Sequence, residues 1–79
     1  MSTVTAKILI NFGKAIRQIR LEKHISQEEL ADMCGLHRTY LSDVELGKRN
    51  ISLENIEKLA NSLGLSVAEL FQVVESKSS

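Results

Sequence analysis

The stretch that most limits what this chain can become runs from Ser26 to Asn50, SQEELADMCGLHRTYLSDVELGKRN. Ser26 and Glu29 have the spacing of a capping box, in which each side chain accepts a hydrogen bond from the other residue's backbone N–H. Ile25 and Leu30 flank the box as a hydrophobic staple. A helix therefore starts at Gln27. Gly35 stops it, because glycine enters the left-handed conformation of a helix C-terminus without a steric penalty. Leu36 and Leu41 staple a second helix that begins just beyond His37. The chain turns sharply and restarts.

The second of these helices is two-sided. At about 100° per residue, Tyr40, Leu41 and Val44 fall on one side, and Arg38, Thr39, Ser42 and Asp43 on the other. In an arbitrary amphipathic helix the polar side is simply solvated. These residue types also suit the base edges of a DNA major groove, and the spacing alone leaves both readings open. Arg38 matches guanine O6/N7, Thr39 a thymine methyl or a phosphate, and Asp43 the amino donor of cytosine N4; Ser42 completes the base-facing set.

Gln27 to Leu30 with Ala31, then Gly35, the apolar pair Leu41 and Val44, and Glu45 before Gly47 resemble the helix-turn-helix of the phage-repressor and Cro type, often called the XRE family. The resemblance runs from about Phe12 to Phe71. Arg38-Thr39-Tyr40 together with Lys48-Arg49-Asn50 is similar, within that family, to the small controller proteins of restriction-modification operons. Leu46 departs from the controller pattern, which often has an arginine there. The resemblance implies an all-α, five-helix, lambda-repressor-like DNA-binding domain. It implies DNA-backbone contacts from Gln27, His37, Tyr40, Lys48, Arg49 and Asn50, and a salt bridge between Arg20 and Glu45. Glu28 and Asp32 resemble the acidic patch through which lambdoid repressors touch RNA polymerase, so activation as well as repression is expected.

The flanking sequence reads as three more helices. Ile8, Phe12, Ala15, Ile16 and Ile19 recur at helical spacing from roughly Ala6 to Lys23. Gly13 inside this stretch marks either close packing or a helix that starts near Asn11. Ser52 caps a fourth helix with Leu53, Ile56, Leu59, Ala60 and Leu63 on one stripe and Gly64 as its stop, and Ser66 with Glu69 is a second capping box. One domain is expected over residues 1–79, with 1–5 and 76–79 as frayed tails. The last helix carries more apolar surface than it can bury on its own fold. Leu65, Val67, Leu70, Phe71 and Val74 are therefore expected to form a two-fold dimer interface.

Composition narrows the function classes. The formal net charge is zero, but bases gather from Lys7 to Lys23 while Glu28, Glu29 and Asp32 follow with no base among them. A neutral chain can still bind DNA if a few cations line one surface, with modest non-specific affinity. A lone cysteine, Cys34, leaves no internal disulfide, and His24 and His37 lack partners at metal spacing, so neither metal nor cofactor is expected. Ile8-Leu9-Ile10 is too short for a signal peptide or membrane span, which points to a cytoplasmic protein. No nucleophile–base set, carboxylate pair or phosphate-cradling glycine loop suggests an enzyme. The expectation is a homodimer acting on double-stranded DNA. The competing class is a protein-interaction module on the same fold, such as an antitoxin or coactivator.

Overall fold

The computed structural model describes residues 6–77. These form five helices and no strand: α1 (Lys7–Glu22), α2 (Gln27–Cys34), α3 (Arg38–Glu45), α4 (Leu53–Ser62) and α5 (Val67–Ser76). The expected frayed tail at 1–5 lies outside the described residues, as do 78 and 79. Ser76 differs from the expectation, because it still belongs to α5.

Local signals set the helix starts. The Ser26 hydroxyl accepts from the Glu29 N–H at 3.0 Å while the Glu29 carboxylate accepts from the Ser26 N–H at 2.9 Å, so α2 opens on a complete capping box. Ser66 and Glu69 repeat the arrangement at α5, at 3.0 and 2.8 Å, and the Ser52 hydroxyl caps α4 through Asn55. The ends of α1 to α4 share one geometry as well. After α2, Gly35 sits at φ 70°, and the Leu36 N–H reaches back to the Ala31 carbonyl at 2.9 Å, satisfying an acceptor the helix leaves open. The same reach-back closes α1, where the left-handed residue is His24 at φ 58° in place of a glycine.

The core sits where α1 meets α3 and α5 and where α2 meets α3 and α4. Ile16, Leu30, Leu41, Leu59, Leu63 and Leu70 are fully buried in it. Cys34 is packed among them as a small core residue, its thiol 3.3 Å from the Ser62 hydroxyl. Among the described residues, no helix is long and apolar enough to cross a membrane.

Packing overrides the helical periodicity at several positions. Leu53, placed by spacing on the buried stripe of α4, is 82% exposed at the first residue of the helix. Ile8, in the first turn of α1, is half-exposed. The dimer-interface expectation needs correction at two residues: Leu70 and Val74 lie in the protein's own core and have no surface to offer a partner. The reason is that α5 seats its apolar stripe on α1 and α4. There Phe71 meets Phe12 with ring centroids 5.8 Å apart, leaving Phe71 and Leu65 half-buried and Val67 exposed.

Gly13 resolves in favour of close packing, since α1 starts at Lys7 and continues through it. A Cβ at this position would collide with the carbonyl oxygens of Val44 and Glu45 at the end of α3. Both are backbone atoms and cannot swing aside. Gly13→Ala should therefore lower stability by about 1–3 kcal/mol through overpacking, despite alanine's better helix propensity. Urea unfolding would show a lower midpoint; an equal or higher midpoint would mean that α1 and α3 do not approach so closely.

Candidate nucleic-acid interface

α3 is held from behind and below. Leu41 and Val44 are buried in the core, and Glu45, in its last turn, is buried as part of an ion pair with Arg20 of α1. Arg20 donates from Nε to Glu45 Oε2 at 2.7 Å and from Nη2 to Glu45 Oε1 at 3.0 Å, a bidentate fork. Its third donor, Nη1, reaches the Ile25 carbonyl in the α1–α2 connection at 2.9 Å. Glu45 holds the Arg20 pKa above its ordinary value, first through this hydrogen bond and then through its charge, against the opposing effect of burial. A cation with a raised folded-state pKa keeps its stabilising contribution below the ordinary pKa and loses it only above that range. The arginine side of the pair is therefore insensitive to pH near neutrality.

Gln27 joins this network. Its side-chain amide donates to Glu45 Oε1 at 3.0 Å, which ties the first residue of α2 to the last of α3 and leaves Gln27 half-buried. The amide expected to face a phosphate is thus partly occupied inside the protein. No buried side-chain polar atom among the described residues lacks a hydrogen-bond partner.

The opposite side of α3 is open. Arg38 and Thr39 are exposed, while Ser42 and Asp43 are half-buried on the same face. His37 stands exposed just before the helix and makes no side-chain cap. After α3, Gly47 at φ 77° turns the chain against Ile10 of α1, and the Lys48 N–H returns to the Asp43 carbonyl at 2.9 Å. Lys48, Arg49 and Asn50 follow, all exposed, and Leu46 beside them is 61% exposed.

Three contacts on this face have no counterpart in sequence spacing. Tyr40 is half-buried, and its hydroxyl accepts from the Asn55 side chain of α4 at 3.1 Å. Arg49 folds back so that its guanidinium carbon is 4.9 Å from the centre of the Tyr40 ring, within cation–π range, and its Nε is 3.7 Å from Asp43 Oδ2. Asn55, Tyr40, Arg49 and Asp43 thus form a chain of contacts from α4 across α3. Asn55 lies fifteen positions from Tyr40, and no local motif announces it. The structure therefore joins Tyr40, Asp43 and Arg49 beside Thr39, with Arg38 and Ser42 on the open side of α3 and Lys48 and Asn50 exposed in the loop that follows. Gln27 is turned in toward Glu45, and Glu28 and Asp32 are exposed on α2.

This arrangement has known relatives. The helix-turn-helix family profile matches residues 16–70. The control protein C.BamHI of Bacillus amyloliquefaciens is 53% identical over 68 residues, covering 85% of this chain and 84% of that protein. The crystal structure of the restriction-modification controller protein C.AhdI from Aeromonas hydrophila superposes with a TM-score of 0.78 at 49% identity, over 80% of this chain and 96% of that one. The controller protein C.Esp1396I, solved as a tetramer in complex with its natural 35 base-pair operator, superposes with a TM-score of 0.83 at 32% identity, over 90% and 93% of the two chains. The chain belongs to the helix-turn-helix family, of the XRE type, and is similar within it to the control proteins of restriction-modification systems.

Proposed function

We propose that this protein is a homodimeric, sequence-specific DNA-binding transcription regulator that controls a restriction-modification system in the cytoplasm. The observation that carries the reading is that Arg38 and Thr39 stand exposed on a helix whose other side is locked in the core by Leu41 and Val44. Rigid presentation lets short side chains hold hydrogen-bond geometry to base edges. Arg38, Thr39, Ser42 and Asp43 read bases. His37, Tyr40, Lys48, Arg49 and Asn50 hold the sugar-phosphate backbone, and Gln27 contributes there to the extent that Glu45 releases it. The tetramer of C.Esp1396I on its operator supports repeated use of such a surface along DNA.

Two copies related by a two-fold axis would read half-sites roughly one helical turn, about 34 Å, apart on a near-palindromic operator. Selection by the wild-type protein from a randomised duplex library should yield such a site, and the sequence upstream of its own gene should contain one. Arg38→Ala should then lose about 1–3 kcal/mol at a single base position. Equal binding of that variant to the selected site would remove Arg38 from the reading set. If nothing is selected, the protein-interaction module, which the zero net charge favours, becomes the better account.

For the dimer, Leu65, Val67 and Phe71 keep surface, and the exposed Leu53 adds to it. Leu53 and Val67 flank a shallow depression between α4 and α5 that also involves Ile56 and is bordered by Glu54 and Glu57. This is the surface we assign to the second copy. Leu53→Glu would place a further carboxylate beside Glu54 and Glu57 in both subunits. It should weaken self-association on the order of a hundredfold, given about 1.5–3 kcal/mol for each buried leucine. Sedimentation at a concentration where the wild type is dimeric should show folded monomer, and an unchanged dimer would place the interface elsewhere.

Glu28 and Asp32 lie one turn apart on α2 and are exposed. We assign them to contact with RNA polymerase, so that the bound protein can activate as well as repress. Glu28→Lys with Asp32→Lys should abolish activation in a reporter assay while operator affinity is retained. Joint loss of both would argue against a separate activating surface.

A further inference from the structure

Arg49 leaves the loop after α3 and folds back over the helix. Its guanidinium lies 4.9 Å from the Tyr40 ring centre and its Nε is 3.7 Å from Asp43 Oδ2. Tyr40 and Asp43 are one turn apart on α3, and Tyr40 is anchored from α4 by Asn55 at 3.1 Å. Among the described residues, the Asp43–Arg49 pair is the one ion pair on this face, the other being the buried pair behind it. Lys48 and Arg38 are exposed and face no carboxylate of the described residues at ion-pair distance.

We infer that Asp43 is a discriminating residue: it withholds Arg49 from DNA in general and releases it where a base edge offers Asp43 a hydrogen-bond donor, so that the pair suppresses binding to non-operator DNA. The inference rests on the DNA-binding reading above. A phosphate docking on Arg49 brings a second anion beside the Asp43 carboxylate. On an arbitrary duplex the base pair facing Asp43 holds its one major-groove amino donor out of reach as often as within it, so on average that repulsion is poorly offset. Where cytosine N4 or adenine N6 lies on the strand and at the position that Asp43 reaches, the carboxylate gains a donor and Arg49 becomes free to take the phosphate. Such a contact sharpens specificity by penalising the wrong partner more than by strengthening the right one.

The geometry suits a reversible latch. The side chains of Asp43 and Arg49 are 34% and 50% exposed, so water screens their attraction and the pair opens readily. The Tyr40 ring keeps the guanidinium over the reading face when it does. Without that ring, a released Arg49 would sweep a wide volume around the loop.

The test uses the whole protein and fluorescence anisotropy. Wild type, Asp43→Asn, Arg49→Gln and the double variant are titrated with a random-sequence duplex and with a duplex selected by the wild type. Asparagine preserves size and removes charge, and circular dichroism checks that each variant is folded. Asp43→Asn should bind the random duplex about two- to fivefold more tightly, with a salt dependence steeper by about one released counterion. Its affinity for the selected duplex should be lower, because the base contact of Asp43 is weakened, so the specificity ratio falls. In the Arg49→Gln background the gain on random DNA should vanish. Unchanged random-duplex affinity in Asp43→Asn, or a gain that persists without Arg49, would overturn the inference while leaving the DNA-binding reading intact. Failure of the wild type to select any duplex would instead overturn that reading, and this inference with it.

Discussion

The bidentate contact between Arg20 and Glu45 is the point on which the placement of α3 depends. One guanidinium joins the end of α1, the carbonyl of Ile25 in the next connection, and the last residue of α3, and Gln27 brings the start of α2 to the same carboxylate. Taking both charges out of water cancels much of their attraction, so the pair adds little to stability compared with an apolar replacement of the same shape. Its asymmetry matters more. Removing either partner strands the other in the interior, at a cost of about 3–5 kcal/mol. The network consequently favours one relative orientation of three helices over nearby alternatives that a purely aliphatic contact would tolerate. Gly13 adds the distance to that orientation, since α1 approaches the carbonyls of Val44 and Glu45 where a side chain would hold it off.

A helix proposed to read DNA needs this kind of restraint because it is so short. α3 spans only Arg38–Glu45, far too few residues to be helical unaided in water. Its stability is borrowed from Leu41 and Val44 in the core and from the turns at its two ends. Gly35 ends α2 so that α3 can begin within three residues, and Gly47 ends α3 against Ile10. The loop carrying Lys48, Arg49 and Asn50 therefore emerges at a defined place beside the open face of the helix. Function follows from a surface whose polar groups are few but whose positions are fixed from behind.

Much of this was legible in the sequence because the signals are local. Capping boxes at Ser26 and Ser66, staples such as Ile25 with Leu30, and glycines 35, 47 and 64 each act within one helical turn, and every one marks a real boundary. The family resemblance supplied the Arg20–Glu45 pairing, which the spacing alone does not imply. What escaped sequence reading was decided between elements. Leu53 and Leu59 share a stripe on α4, yet Leu53, at the first residue of the helix, is 82% exposed and Leu59 is fully buried, a difference that spacing does not encode. Leu70 and Val74 look like surplus apolar surface only while the partner surfaces on α1 and α4 are unknown. Asn55 with Tyr40, and Arg49 with Asp43, are meetings of side chains from different segments with no periodic signature.

The proposed action of a neutral chain on DNA also poses an electrostatic question that the fold helps to answer. Counterion release makes affinity scale with the number of cations that reach phosphates, and it does so on any sequence. A strongly basic domain would bind everywhere and rely on base contacts to stand out above a high background. Here three cations, Arg38, Lys48 and Arg49, lie on or beside the open face of α3, and one of them is already partnered by Asp43. The acidic residues Glu28 and Asp32 are exposed on the preceding helix. A weak sequence-independent attraction lowers the background, so discrimination can come from a small set of base contacts held at fixed positions. On that view the zero net charge is compatible with sequence-specific binding, and the demand it makes is geometric: with so little general attraction, the helix that reads must be held in one place, which is what the buried Arg20–Glu45 pair and the close approach at Gly13 provide.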